Sequence, residues 1–283
     1  MSGNFVQRGD AAIMDKLDRA KLAVKSGADL VIEIPVPYCL SSAEIYAKGA
    51  VHLLGALGAV DEISFGSECG NIEQLRETAE IIEKCAITCA DDINGLLKMG
   101  YTYPKALNSI VMRKSIEAAE IISEPNNLLA IEYMRAMKRF TPKMKAFTIK
   151  RKNASHDSMF IKDEYASASY LREAILSSGR DISMLTVPVW SDAIAQVKKN
   201  GEIGDINRLE RVILYMLRTV CPEYLSGIND VGQGLEHRIY EARKSSSLDE
   251  LLFNIKTKRY TMARIRRILL SALIGIKKSD LKI

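Results

Sequence analysis

Apolar residues at helical spacing run through 11–26 and stop before Gly27, a residue suited to close a helix. The next run, DLVIEIPV (29–36), is almost continuously apolar and of strand length, as expected for a parallel strand covered on both faces. A second helix fits 41–57, and VDEISFGSECGN (60–71) reads as a short strand entering a glycine-bounded loop. Helical patterns follow at 72–87, 91–99, 104–121 and 123–137, a further strand at AFTIK (146–150), and a helix near 167–177. Beyond about residue 180 the period is helical throughout, at 206–219, 234–243, 248–256 and 261–276, with VGQG and KSSS as breaks. Strands alternating with helices predict an α/β domain with a parallel sheet over 1–178, followed by an all-helical domain over 179–283.

In a parallel sheet, ligands sit where loops leave the carboxyl ends of the strands. The polar loops placed there are SGNFVQRG (2–9), FGSECGN (65–71) and RKNASHDS (151–158). The chain has no phosphate-binding G-x-x-x-x-G-K-[ST], no G-x-G-x-x-G and no G-x-S-x-G. Its three histidines lack zinc-ligand spacing, and Cys85 and Cys89, one turn apart in an apolar stretch, read as core thiols. A metallohydrolase and a serine hydrolase are therefore disfavoured.

What remains are groups that handle phosphate and nucleoside. Asn126 and Asn127 follow Pro125 at a helix start, where one asparagine caps and the second leaves an amide for a base or ribose. Arg151 stands just past a strand end, placed for bidentate contact with phosphate oxygens. Ser167 and Ser169 open a helix with Arg172 a turn on, which suits either a phosphate or a simple cap.

Charge sharpens the division. Residues 1–140 carry a net −4 and residues 141–283 a net +9, within a total of +5 for the 283-residue chain. The basic half points to a polyanion partner or to solvated lysine-rich helices. KTKRYTMARIRRIL (256–269) carries Lys256, Lys258, Arg259, Arg264, Arg266 and Arg267 around Tyr260, which suits phosphate-backbone contact plus one stacked base, or a basic helix face with its tyrosine in the core. No apolar run reaches membrane-spanning length, and five scattered cysteines suit reduced thiols in a cytoplasm.

Taken in order, SGNFVQRG, DLVIEIP, FGSE, PNNLLAIEY, TIKR, ASASYLR and KTKRYTMARIRRIL resemble the tRNA(Met) cytidine acetate ligase family of the nucleotidyltransferase superfamily. The resemblance implies a Rossmann-like nucleotidyltransferase domain and a helical tRNA-binding domain. It implies ATP as co-substrate, with Mg2+, and activation of acetate as acetyladenylate. The acetyl group then passes to N4 of the wobble cytidine of elongator tRNA(Met). It assigns ATP contact to Gly66, Asn126 and Arg151. The residues themselves add Ser167, Ser169 and Arg172 as phosphate contacts, Arg8 and Lys16 near the opening loop as contacts to phosphate or tRNA, and Lys256, Lys258, Arg259, Tyr260, Arg264 and Arg267 as tRNA contacts. The family carries an N-P-F-H-x-G-H motif ahead of SGNFVQRG and continues past the residue matching Ile283, so the resemblance implies a fragment whose ATP site lacks its histidines. Losing one preorganised group costs about 3–4 kcal/mol of barrier. A small-molecule adenylyltransferase and a non-catalytic tRNA-binding remnant are the two other readings.

Overall fold

The computed structural model describes residues 1–152, 166–177, 182, 185–232 and 234–282. Two compact units emerge, both discontinuous in sequence. One is built from residues 42–151 with 256–261, the other from 1–41, 152–255 and 262–282. The expected cut between 178 and 179 falls inside the second unit rather than at its edge. Most of RKNASHDS lies outside the described residues, as does Gln233 of VGQG.

The chain opens with a tight antiparallel hairpin of β1 (Phe5–Val6) and β2 (Asp10–Ala11), in register Val6↔Asp10. SGNFVQRG is thus hairpin, where the sequence suggested a loop after a parallel strand. Gly9 closes it at φ +74, with its N–H on the Val6 carbonyl at 2.8 Å. Helix α1 (Lys16–Lys25) follows, capped by Asp15, and α2 (Val36–Cys39) is a single turn. Between them the run 29–35 forms no strand. A strand is made by its neighbours, and the run's contacts to an adjoining segment include only isolated bonds to Met1: Ile34 N–H donates to Met1 O at 2.9 Å, and the Met1 amino group donates to Ile32 O. Pro35 O accepts from Tyr38 and Cys39 in the following turn.

The 42–151 unit holds α3 (Ala43–Ala56), β3 (Glu62–Ser67), α4 (Ile72–Thr88), α5 (Ala90–Lys98), α6 (Tyr103–Met112), α7 (Ile116–Ser123), α8 (Pro125–Phe140) and β4 (Lys145–Lys150). The expected single helix over 104–121 is two, because Ser115 leaves the helical conformation and caps α7 through the Ala118 N–H. Strands β3 and β4 pair in parallel, Glu62↔Lys145 through Ser67↔Lys150. Ile63 and Ser67 face the helices, whereas Phe147 and Ile149 stay exposed. Among the described residues this is the whole parallel sheet, two strands where three were expected. The core is helical, with Leu75, Ile82, Ile110 and Ile131 almost fully buried between α4 and α8.

The second unit continues with α9 (Ala168–Leu176), α10 (Pro188–Lys199), α11 (Glu210–Thr219), α12 (Pro222–Gly227), α13 (Leu235–Ala242), α14 (Leu248–Ile255) and α15 (Met262–Ile274). Met14 and Leu22 pack with Ile175, Ile194 and Val197, joining α1 to α9 and α10. The loop at 228–231 ties the helices to the opening hairpin. Asn229 is buried and donates to Leu40 O and Ser41 Oγ. Asp230, at φ +66, holds the Arg267 guanidinium at 2.9 Å and Arg264 through its carbonyl and carboxylate. Arg267 also reaches Gln7 O, and a Cβ on Gly9 would strike the backbone of α15 at Arg266–Arg267.

Arg267 is thus a cation whose partners lie within its own unit, and removing it leaves Asp230, among the described residues, with Arg264 alone. Arg267→Ala is expected to lower stability by about 1–3 kcal/mol, the scale of a lost hydrogen bond to a charged group, seen as a lower urea midpoint at unchanged slope.

Candidate nucleotide site

The three residues matched to ATP contact come together within the 42–151 unit. Strand β3 ends at Ser67 and β4 at Lys150, side by side, so both following loops leave from one end of the sheet. The β3 loop is closely organised. Ser67 Oγ lies 2.7 Å from Thr148 Oγ1 and accepts the Gly70 N–H at 3.0 Å. Gly70 needs its φ of +65, and a Cβ there would collide with Lys150. Asn71 then caps α4 by accepting the N–H groups of Glu73 and Gln74.

Arg151 follows β4 directly, its N–H on Ser67 O at 2.9 Å and its side chain exposed. That side chain runs beside Gly66: a Cβ at position 66 would lie 3.3 Å from Arg151 Cγ. Glycine therefore leaves the backbone bare beside the stem of the exposed Arg151 side chain.

The start of α8 completes the group. Its N-cap residue, Glu124, supplies no side-chain bond, and Pro125 has no N–H to satisfy. Glu68, from the β3 loop, does the capping instead. Its carboxylate accepts the Asn127 N–H at 2.8 Å, the Asn126 N–H at 3.3 Å and the Asn126 side-chain amide at 2.6 Å. Asn127 answers in the other direction: its Oδ1 accepts the backbone N–H groups of Glu68 at 2.8 Å and Cys69 at 3.1 Å. The two segments hold each other across 58 residues of sequence. Asn127, 2% exposed, is fully committed to the fold, whereas Asn126 is only half-buried. Behind them Phe65 stacks on Tyr133, ring centroids 5.7 Å apart, and burial pushes the Tyr133 phenol well above its ordinary value.

Arg8, Lys16, Ser167, Ser169 and Arg172 all lie in the other unit. Ser167 is buried and caps α9 through the Tyr170 N–H, and Arg172 donates to Ala11 O at 2.7 Å. Lys16 pairs with Glu33 at 2.7 Å. For Ser167, Arg172 and Lys16 the structure thus supplies internal partners, the simple-cap reading in the case of Ser167. In the basic segment Lys256 and Lys258 are exposed and Arg259 half-buried, but Tyr260 is 7% exposed, its ring packed away rather than offered to a base. All five cysteines are free thiols, and burial raises those of Cys39 and Cys85. Among the described residues no three His, Cys, Asp or Glu side chains gather as a metal site, and no helix is long and apolar enough to cross a membrane.

The profile of the HIGH Nucleotidyl Transferase family matches residues 1–283. A tRNA(Met) cytidine acetate ligase of Thermoanaerobacter sp. (strain X514) is 41% identical over the full chain, which spans 71% of that protein. The chain belongs to this family. A relative of the same name from Clostridium perfringens (strain ATCC 13124) is 35% identical over the full chain and 72% of its own length. Crystal structures of Thermotoga maritima TmcAL match 99% of the chain. The apo form superimposes at a TM-score of 0.91 and 29% identity, and the form bound with α-thio ATP at 0.87 and 27%, covering 69% and 68% of those chains. The family member is thus an enzyme of helix-rich α/β fold, with a parallel sheet and a helical C-terminal region.

Asn127→Ala would leave two backbone N–H groups at Glu68 and Cys69 without their acceptor. A stability loss of about 1–3 kcal/mol is expected in denaturant titration. A loss below 0.5 kcal/mol would show that the loop is held by other means.

Proposed function

We propose that the chain binds ATP at the carboxyl ends of β3 and β4 and uses it to join acetate to the wobble cytidine of elongator tRNA(Met), forming N4-acetylcytidine. The observation that carries this reading is full-length similarity to relatives bearing the ligase name, together with a fold match to a relative holding α-thio ATP. Gly66, Asn126 and Arg151 are the proposed ATP contacts. Gly66 lets the nucleotide approach the backbone, Asn126 faces the nucleoside, and Arg151 neutralises phosphate charge.

In this reading an acetate oxygen attacks the α-phosphorus and the bond to pyrophosphate breaks, giving acetyladenylate. The cytidine N4 then attacks the acetyl carbon, the bond to AMP breaks, and N4 releases a proton. Arg151 contributes by holding negative charge as it redistributes, and the bound geometry by keeping two anions together. Magnesium would enter with the triphosphate, and no step here runs through it. The exposed Lys256 and Lys258 are the proposed contacts to the tRNA backbone, and the helical region the proposed tRNA-binding part. The activity is that of a cytoplasmic enzyme.

The test is incubation of the full-length protein with ATP, labelled acetate and tRNA(Met), followed by nucleoside analysis. N4-acetylcytidine is expected, and Arg151→Ala is expected to lower the rate about 100-fold. Pyrophosphate exchange into ATP that needs neither acetate nor tRNA but a different small molecule, with no labelled tRNA formed, would instead identify a small-molecule adenylyltransferase.

A further inference from the structure

We infer that Glu68 is a positioning residue that fixes the polarity of Asn126, so that the site offers the nucleotide a hydrogen-bond acceptor at this point. This rests on the nucleotide reading above and adds to it the chemistry of the group recognised. A carboxylate without its proton can only accept hydrogen bonds, and Glu68 lies 2.6 Å from one end of the Asn126 amide. That end must therefore be the NH2, since an amide oxygen there would face the carboxylate in repulsion. The orientation of an asparagine amide is usually an inference from its surroundings. Here the chemistry of the neighbour leaves one choice. Oδ1 of the half-buried Asn126 is then the end left over, and among the described residues no hydrogen bond is made to it.

An acceptor recognises a donor. On ATP the donors are the exocyclic amine of adenine and the ribose hydroxyls, and the phosphates carry none. The capping of α8 gives Glu68 a purely structural duty as well, through the Asn127 N–H at 2.8 Å. Capping alone predicts a change of stability and no change in which nucleotide is preferred, so the two roles separate by experiment.

Binding of ATP, inosine triphosphate, 2′-deoxy-ATP and 3′-deoxy-ATP is measured by calorimetry on the full-length wild-type protein and on its Glu68→Gln, Glu68→Asp and Asn126→Ala variants. Wild type is expected to bind one analogue about tenfold more weakly than ATP. Inosine triphosphate identifies the base amine as the donor, and a deoxy analogue the corresponding hydroxyl. In Glu68→Gln the second end of the side chain becomes an NH2, which frees the Asn126 amide to turn. The gap should shrink to within about threefold. Glu68→Asp keeps an acceptor-only group and should restore most of it. Asn126→Ala, which leaves the Asn127 arm intact, should lose the gap whether or not Glu68→Gln folds. A folded Glu68→Gln protein with the wild-type gap, or a wild type that binds all four nucleotides equally, overturns the inference while the ATP site stands. A wild type that binds none of them removes the nucleotide reading, and the inference with it.

Discussion

Everything at the candidate site hangs on a reciprocal set of hydrogen bonds between Glu68 and the Asn126–Asn127 pair. Each segment caps the other: the carboxylate satisfies the open N–H groups of α8, and the Asn127 oxygen satisfies those of the turn after β3. Without the exchange, both the helix start and the strand end would hold unpaired donors in a partly buried place, at a cost comparable to a lost hydrogen bond for each. The bare backbone at Gly66 and the course of the Arg151 side chain depend on that turn, because Ser67 anchors both the Gly70 N–H and the Arg151 N–H.

The periods of the sequence carried most of the helices and both parallel strands, since each answers to its own residues: Asn71 before α4, Ser115 before α7, Pro125 inside the first turn of α8. What they could not carry was partnership. DLVIEIPV has the composition of a buried strand, yet a strand exists only where a neighbouring strand supplies a ladder of hydrogen bonds, and among the described residues none pairs with it. At the candidate site, Asn126 was legible at a helix start and Arg151 just past a strand end, and Gly66 through the family resemblance. Glu68 was not, because an acidic residue in a polar loop looks solvated until its partner 58 residues away is known.

The basic segment shows a similar limit in the other direction. A count of cations cannot tell a side chain facing solvent from one turned inward. Arg264 and Arg267 serve Asp230, a residue held in the left-handed region, and Tyr260 is buried. The cations left facing water are Lys256 and Lys258, in a short stretch that packs with the 42–151 unit although its neighbours in sequence belong to the other.

The parallel pairing of β3 with β4 also sets an order of events during synthesis. Phe65 and Thr148 are 83 residues apart, so β3 is made well before its strand partner exists. At roughly 5–20 residues per second, that is a wait of several seconds. Glu68 meets Asn126 sooner, after 58 residues, and the helices α4 to α8 supply most of this unit's buried core in the interval. The nascent chain can thus close its helical core and clasp the turn first. Strand β4 then arrives last, as an edge laid onto a template already fixed at its far end.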